Sequence, residues 1–229
     1  MVEAISGDNE RLARRATIHG ALADPQRLRI VDSLATRDLA PGELGDLLGL
    51  SSSLLAHHLK TLEAARIVRR RRSDGDGRRN YVSLRWDDAV VAATAAASRH
   101  LDATRVVFVC TENSARSQMA AALLASRGTV QVGSAGTHPG EAIHPRALAQ
   151  IDAHGLAPVS ARPATLESAL RPGDLVIAVC DNAYEELDDE MDLLHWSVPD
   201  PAASPDPDAF ASSFESLERR VGRLADSLA

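Results

Sequence analysis

Near residue 103 the apolar pattern of this 229-residue chain changes period, and that change limits what it can fold into. Before it, apolar residues recur at helical spacing in short segments punctuated by Pro and Gly. After it comes the solid run Val106-Val107-Phe108-Val109, without polar alternation, as a buried parallel strand requires. The expectation is two domains, residues 1–103 and 104–229. Charge divides in the same place. Residues 1–100 carry 16 Lys and Arg against 13 Asp and Glu, and residues 101–229 carry 9 against 19, which gives +3 and −10 within the overall −7. A mildly basic half joined to an acidic half points to two units with different partners. No apolar run approaches the ~18 residues that span a bilayer, and the first 15 residues lack the apolar stretch of a secretory signal. A cytoplasmic protein with no membrane partner is expected. Its only cysteines are Cys110 and Cys180. In a cytoplasmic chain two cysteines point to chemistry more than to a staple.

The first half reads as short helices. Residues 11–22 form one. Asp24 then caps a second that has Pro25 at its first position and Leu28, Val31 and Leu34 along it. Pro41 opens a third, closed by Gly49, and Ser51 caps a fourth that runs to about Ala65. On that fourth helix Leu55, Leu59 and Leu62 turn inward together, leaving Ser52, Ser53, His57 and Lys60 outward. Two strands, residues 67–72 and 80–84, flank the turn Ser73-Asp74-Gly75-Asp76-Gly77. An Ala-rich helix is expected from Asp87 to about Asp102. It is apolar along much of its length and so needs something large to pack against, such as a second subunit.

Helix, short turn, helix and basic hairpin make up a mainly α winged helix-turn-helix. Its second helix is narrow enough for a DNA major groove, where Ser, His and Lys side chains bond bases and phosphates. Arg69, Arg70, Arg71 and Arg72 crowd one hairpin strand, with Arg78 and Arg79 beside the other. Like charges this dense repel one another and are best explained by a polyanionic partner, double-stranded DNA.

The segment GELGDLLGLSSSLLAHHLKTLEAARIVRRRRSDGDGRRNYVSL resembles the arsenic-repressor (ArsR-type) family of winged-helix regulators, over about residues 11–100. The resemblance implies a homodimer on a palindromic operator, repressing until an effector arrives. Arsenite-sensing members place cysteines where this chain has Glu43-Leu44-Gly45-Asp46, and no cysteine precedes residue 110. Thiolate sensing of arsenite within this half is thereby excluded. Asp87, Asp88 and His100 do not make a convincing metal ligand set, so no metal is expected.

In the second half the strand at residues 106–109 is followed by a helix over 117–127 and a strand over 130–133. A helix over 145–154, a short helix over 165–170 and a strand over 175–179 come next. A short strand over 194–198 and a terminal helix with Phe210, Phe214, Leu217, Val221, Leu224 and Leu228 on one face complete it. The alternation indicates a three-layer α/β domain on a four-stranded parallel sheet.

The strongest chemical signal is Cys110-Thr111-Glu112-Asn113-Ser114-Ala115-Arg116-Ser117, which ends the first strand and opens a helix. Backbone N–H groups of such a loop form an anion nest. The helix dipole adds positive charge, and Arg116 offers a planar fork to two oxyanion oxygens. These surroundings favour a reactive thiolate. Ser117 is placed to donate to the sulfur, and Asn113 suits a left-handed turn. Glu112 adds negative charge beside the anion site. Asp200, before Pro201, is a candidate for protonating a leaving oxygen.

Residues from about 105 to 229 resemble the low-molecular-weight tyrosine phosphatase superfamily, and within it the arsenate reductases. The resemblance is carried by VFVCTENSARSQMAAALL, VGSAGTHPGEAIHPRALAQIDAHGL, LVIAVCDNA and LHWSVPDPA. It implies Cys110 as nucleophile, Arg116 as oxyanion binder, Ser117 as thiolate partner, Asp200 as general acid and Cys180 as a resolving cysteine. Relatives that use thioredoxin carry a further cysteine about seven residues on, where this chain has Leu187 and Asp188, and Ala115 stands where a loop cysteine is common. The expected activity is arsenate reduction with no bound cofactor. The reductant would be an external thiol system based on thioredoxin, glutaredoxin or mycothiol with its mycoredoxin. A phosphotyrosine phosphatase, or an inactive oxyanion or redox sensor, are the alternatives.

Overall fold

The computed structural model describes residues 2–94, 101–187 and 193–228. Two compact units result: residues 1–71 with 80–97, and residues 98–229 with 72–79. Each has its own hydrophobic core.

The first unit runs α1 (Val2–Leu22), α2 (Pro25–Ser33), α3 (Pro41–Leu48), α4 (Ser52–Ala64), β1 (Val68–Arg72), β2 (Asn80–Leu84) and α5 (Ala89–Thr94). The punctuation works as its chemistry requires. Asp24 accepts hydrogen bonds from the N–H groups of Gln26 and Arg27, Ser51 accepts from Leu54, and Gly49 takes the left-handed conformation that stops α3. The Glu43 carboxylate reaches back to the Ala40 N–H at 2.7 Å. Leu44 from α3, Leu55, Leu59 and Leu62 from α4, and Val82 and Leu84 from β2 share one core with Ile18, Ile30 and Leu34. A short antiparallel bridge joins Leu39 to Val82.

Arg14 ties three of these helices together. Its guanidinium donates to the carbonyls of Ala65 and Arg66 at the end of α4, at 2.5 and 3.1 Å, and to Asp88 at 2.8 Å. The other oxygen of Asp88 caps α5 through the N–H groups of Val90 and Val91. Of the rest of the expected Ala-rich helix, residues 95–100 lie outside the described residues, and Leu101 and Asp102 are not helical.

The second unit runs β3 (Arg105–Cys110), α6 (Arg116–Ala125), β4 (Gln131–Gly136), α7 (Pro145–Ala153), α8 (Leu166–Ala169), β5 (Leu175–Ala178), α9 (Asp181–Glu186), β6 (Leu193–His195) and α10 (Ala209–Ser227). The sheet is parallel throughout, in the order β4-β3-β5-β6. Helix α10 packs on α6 and α7 and buries the heptad-like face of Phe210, Phe214, Leu217, Val221 and Leu224. β4 extends three residues past the expected Gly133, and α9, which follows Cys180 directly, was not foreseen. Among the described residues no helix is long and apolar enough to cross a membrane.

Strand order places the chemistry. From β3 the chain crosses to β4 on one side and then to β5 on the other, so its connections diverge above the carboxyl ends of β3 and β5. Open α/β sheets leave a crevice at such a point. Cys110 ends β3, and Cys180 follows β5 by two residues.

Candidate functional site

The loop after β3 is held from outside by its carbonyls. Those of Cys110, Thr111, Glu112 and Ser114 accept hydrogen bonds from the N–H groups of Thr137, His138, Gly140 and His144, at 3.1, 2.8, 2.9 and 2.9 Å. The Asn113 carbonyl accepts from Gln118 Nε2 at 3.1 Å. In a planar trans peptide the next N–H points opposite to the carbonyl, so tying the carbonyls outward turns the following amides inward. Amides turned inward in this way are what an anion nest requires. Asn113 supplies the reversal with φ of 54°, as expected. The residue types of 137–144 give no sign of this loop-holding role, because their contribution to it is backbone alone.

The partners of Cys110 come from the loop and the start of α6. Cys110 Sγ lies 3.1 Å from Ser117 Oγ, which receives Asn113 Nδ2 at 2.8 Å. Arg116 is buried and donates from one nitrogen to the Val198 carbonyl at 2.9 Å, while another lies 3.4 Å from Asp200 Oδ2. Burial alone would weaken the charge on Arg116. Negative charge at Cys180, Cys110 and Asp200 outweighs it and raises the guanidinium's affinity for its proton. Asp200, the expected general acid, thus stands at the Arg116 guanidinium. Glu112 is exposed, and its carboxylate accepts from Ser114 Oγ at 3.0 Å. Thr111 is partly buried, and Ala115 is buried ahead of α6.

Cys180 comes to the same place. It is buried, and its sulfur caps α9 by accepting from the Ala183 N–H at 3.5 Å and lies 3.6 Å from Thr111 Oγ1. Burial pushes its thiol up, against the pull of Arg116, and a charge on Cys110 pushes the same way. Beside it, Asp181 and His195 are fully buried and paired at 3.0 Å, with Tyr184 stacked on the imidazole. Among the described residues no group of three or more His, Cys, Asp or Glu is placed to hold a metal ion.

In the first unit Ser52, Ser53, His57 and Lys60 are exposed on α4, as their helical positions require, whereas His58 is buried against Asp24. The exposed Leu54 adds an apolar group. The hairpin arginines are not equivalent. Arg70 pairs with Glu63 at 2.5 Å, Arg69 donates to Ser83 and Arg72 to the Gly77 carbonyl. Arg78 is nearly fully exposed, and Arg79 is exposed as well.

Residues 105–229 match the low molecular weight phosphotyrosine protein phosphatase family, and residues 24–70 match the bacterial regulatory proteins of the arsR family. The chain is 36% identical over 75 residues to the transcriptional repressor SmtB homolog of Synechocystis, covering 33% of this chain and 54% of that protein. It is 46% identical over 52 residues to the nodulation protein NolR of Rhizobium meliloti, covering 23% of this chain and 43% of that one. It thus spans about half the length of these curated relatives. Among solved structures, an arsenate reductase from Archaeoglobus fulgidus is 26% identical with a TM-score of 0.46, covering 53% of this chain and 98% of that one. Through its second unit the chain belongs to the low molecular weight phosphotyrosine protein phosphatase family, and ahead of that unit it carries a helix-turn-helix domain of the arsR family.

Proposed function

We propose that this chain is a cytoplasmic arsenic-response regulator. Residues 1–103 bind operator DNA as a homodimer and repress it. Residues 104–229 bind arsenate and reduce it through Cys110. The observation that carries the enzymatic half is the second buried thiol, Cys180, held at the Thr111 hydroxyl of the anion loop. Hydrolysis of a phosphate ester needs one sulfur, whereas passing two electrons to arsenic needs two.

Strand order supports the pairing of the two thiols. Val109 stands opposite Ala178, so Cys110 and Cys180 both lie at the carboxyl ends of adjacent parallel strands.

In the reaction the loop amides and Arg116 hold arsenate while the Cys110 thiolate attacks arsenic. One oxygen leaves as water, with a proton from Asp200. Cys180, as a thiolate, then attacks the Cys110 sulfur. The sulfur–arsenic bond breaks, its electron pair stays on arsenic, and arsenite departs. Two thiols become one disulfide as one As(V) becomes As(III). An external thiol system (thioredoxin, glutaredoxin or mycothiol with mycoredoxin) restores the pair.

Asp200 at the Arg116 guanidinium favours a second reading, phosphate-ester hydrolysis.

The deciding experiment supplies arsenate with each reductant and measures arsenite from wild type, Cys110→Ser and Cys180→Ser. Reduction lost in both variants, with residual phosphatase turnover kept in Cys180→Ser, is expected. No arsenite from wild type with any reductant would end the reductase reading.

A further inference from the structure

Gln118 is fully buried on the first turn of α6, and nothing in the proposed reaction touches it. Three oxygens surround its side-chain nitrogen: the Asn113 carbonyl at 3.1 Å, Asn113 Oδ1 at 3.2 Å and Ser160 Oγ at 3.3 Å. Turning the amide over would set Oε1 against the same three oxygens, two of which have no proton to give. The nitrogen therefore faces the loop, and Oε1 is left buried without a hydrogen-bond partner. An apolar side chain of similar length would avoid that penalty. The amide is explained by what its donors do.

They set the direction of the hydrogen bonds that end on the nucleophile. Asn113 Oδ1 accepts from Gln118 Nε2 and from the Ala164 N–H at 2.9 Å, so Asn113 Nδ2 must point the other way, to Ser117 Oγ at 2.8 Å. An amide nitrogen only donates. Ser117 Oγ is therefore the acceptor in that contact, and its single proton is left for Cys110 Sγ at 3.1 Å. We propose that Gln118 is a positioning residue for Cys110. By donating to Asn113 it directs the Ser117 proton onto the sulfur and favours the thiolate. Its second bond, to the Asn113 carbonyl, anchors the loop where the backbone is left-handed. The inference rests on the reading of Cys110 as the nucleophile.

The test is the pH dependence of Cys110 alkylation by iodoacetamide in the full chain, read at that residue by mass spectrometry. Gln118→Glu keeps the shape but brings an acceptor where a donor stood. Asn113 then gains by turning its Nδ2 toward the new carboxylate, and Ser117 donates to Asn113 instead of to sulfur. Loss of one hydrogen bond to the charged form shifts a titration by about one pH unit. The midpoint of the profile should rise by that amount, with alkylation at a pH well below the wild-type midpoint slowed about tenfold and the high-pH plateau unchanged. Gln118→Met, which removes the donors without adding an acceptor, should slow it about threefold. A purely structural role would lower the melting temperature and leave the midpoint in place.

Midpoints coincident with wild type in the variants that fold would overturn the proposal. Gln118→Met decides alone if Gln118→Glu does not fold. A wild-type midpoint equal to that of free cysteine would instead refute Cys110 as the nucleophile. A low wild-type midpoint that neither variant moves refutes only the role of Gln118.

Discussion

Gly136 ends β4 directly behind the anion loop, and replacing it with alanine tests whether the loop's backbone placement controls the chemistry. A Cβ at this position would stand 2.6 Å from the Thr111 carbonyl oxygen, 2.9 Å from the Asn113 nitrogen and 3.0 Å from the Glu112 carbonyl carbon. All three are backbone atoms of the loop, so no side-chain rotation relieves the clash. To reach an ordinary separation of 3.4 Å the loop must retreat by about 0.4–0.8 Å. The ladder opposes that retreat, because Gly136 pairs with Cys110 and donates to the Ala164 carbonyl at 2.9 Å. Overpacking of this kind costs about 1–3 kcal/mol of stability. The cost to reaction should be larger than stability suggests. Displacing positioned groups by about 1 Å loses on the order of a hundredfold in rate, so roughly tenfold to a hundredfold is expected here. Phosphate affinity measured by calorimetry, arsenate turnover and thermal unfolding of Gly136→Ala form the assay. A variant that melts several degrees lower yet binds phosphate and turns over like wild type would show that the nest tolerates this displacement, and the carbonyl-tethering argument would fail.

In the first unit, burial alone would raise the Asp88 carboxyl, but Arg14 and the N–H groups of Val91 and Val90 outweigh it and hold the group below its ordinary 3.8. A lowered folded-state value means the stabilisation is complete above 3.8 and is lost as pH falls through that lowered value. Asp88→Ala should therefore be about 1–2 kcal/mol less stable than wild type in urea melts at neutral pH. The gap should close in acid, and a gap independent of pH would contradict this account. For DNA, exposed Arg78 and Lys60 are offered to phosphate, so Arg78→Ala and Lys60→Ala should each flatten the slope of log affinity against log salt by about 0.9. Unchanged slopes would remove both residues from the interface.

Much of the design could be read from residue order because it is local. Asp24, Pro25, Pro41, Gly49 and Ser51 act on backbone groups within a turn of themselves, so helix limits followed from residue type alone. The same holds for Cys110 through Ser117, where spacing, strand end and helix start lie within eight residues. Asn113 adopts the left-handed turn its short amide permits. Other features depend on atoms far apart in the chain. The carbonyl tethers from residues 137–144 are backbone contacts and leave no side-chain signature. The meeting of Cys110 with Cys180 depends on a strand order that no local pattern encodes. Gln118 looks like any helix former until the oxygens around it are seen, and the pairing of Arg70 with Glu63 joins residues seven apart that no local pattern links. Sequence alone determined which residues carry charge, thiol or a special backbone geometry, since those are intrinsic properties. Tertiary structure decided which of them share a crevice, which way each proton points and which charges are already spoken for, because those depend on distances set by packing of the whole sheet.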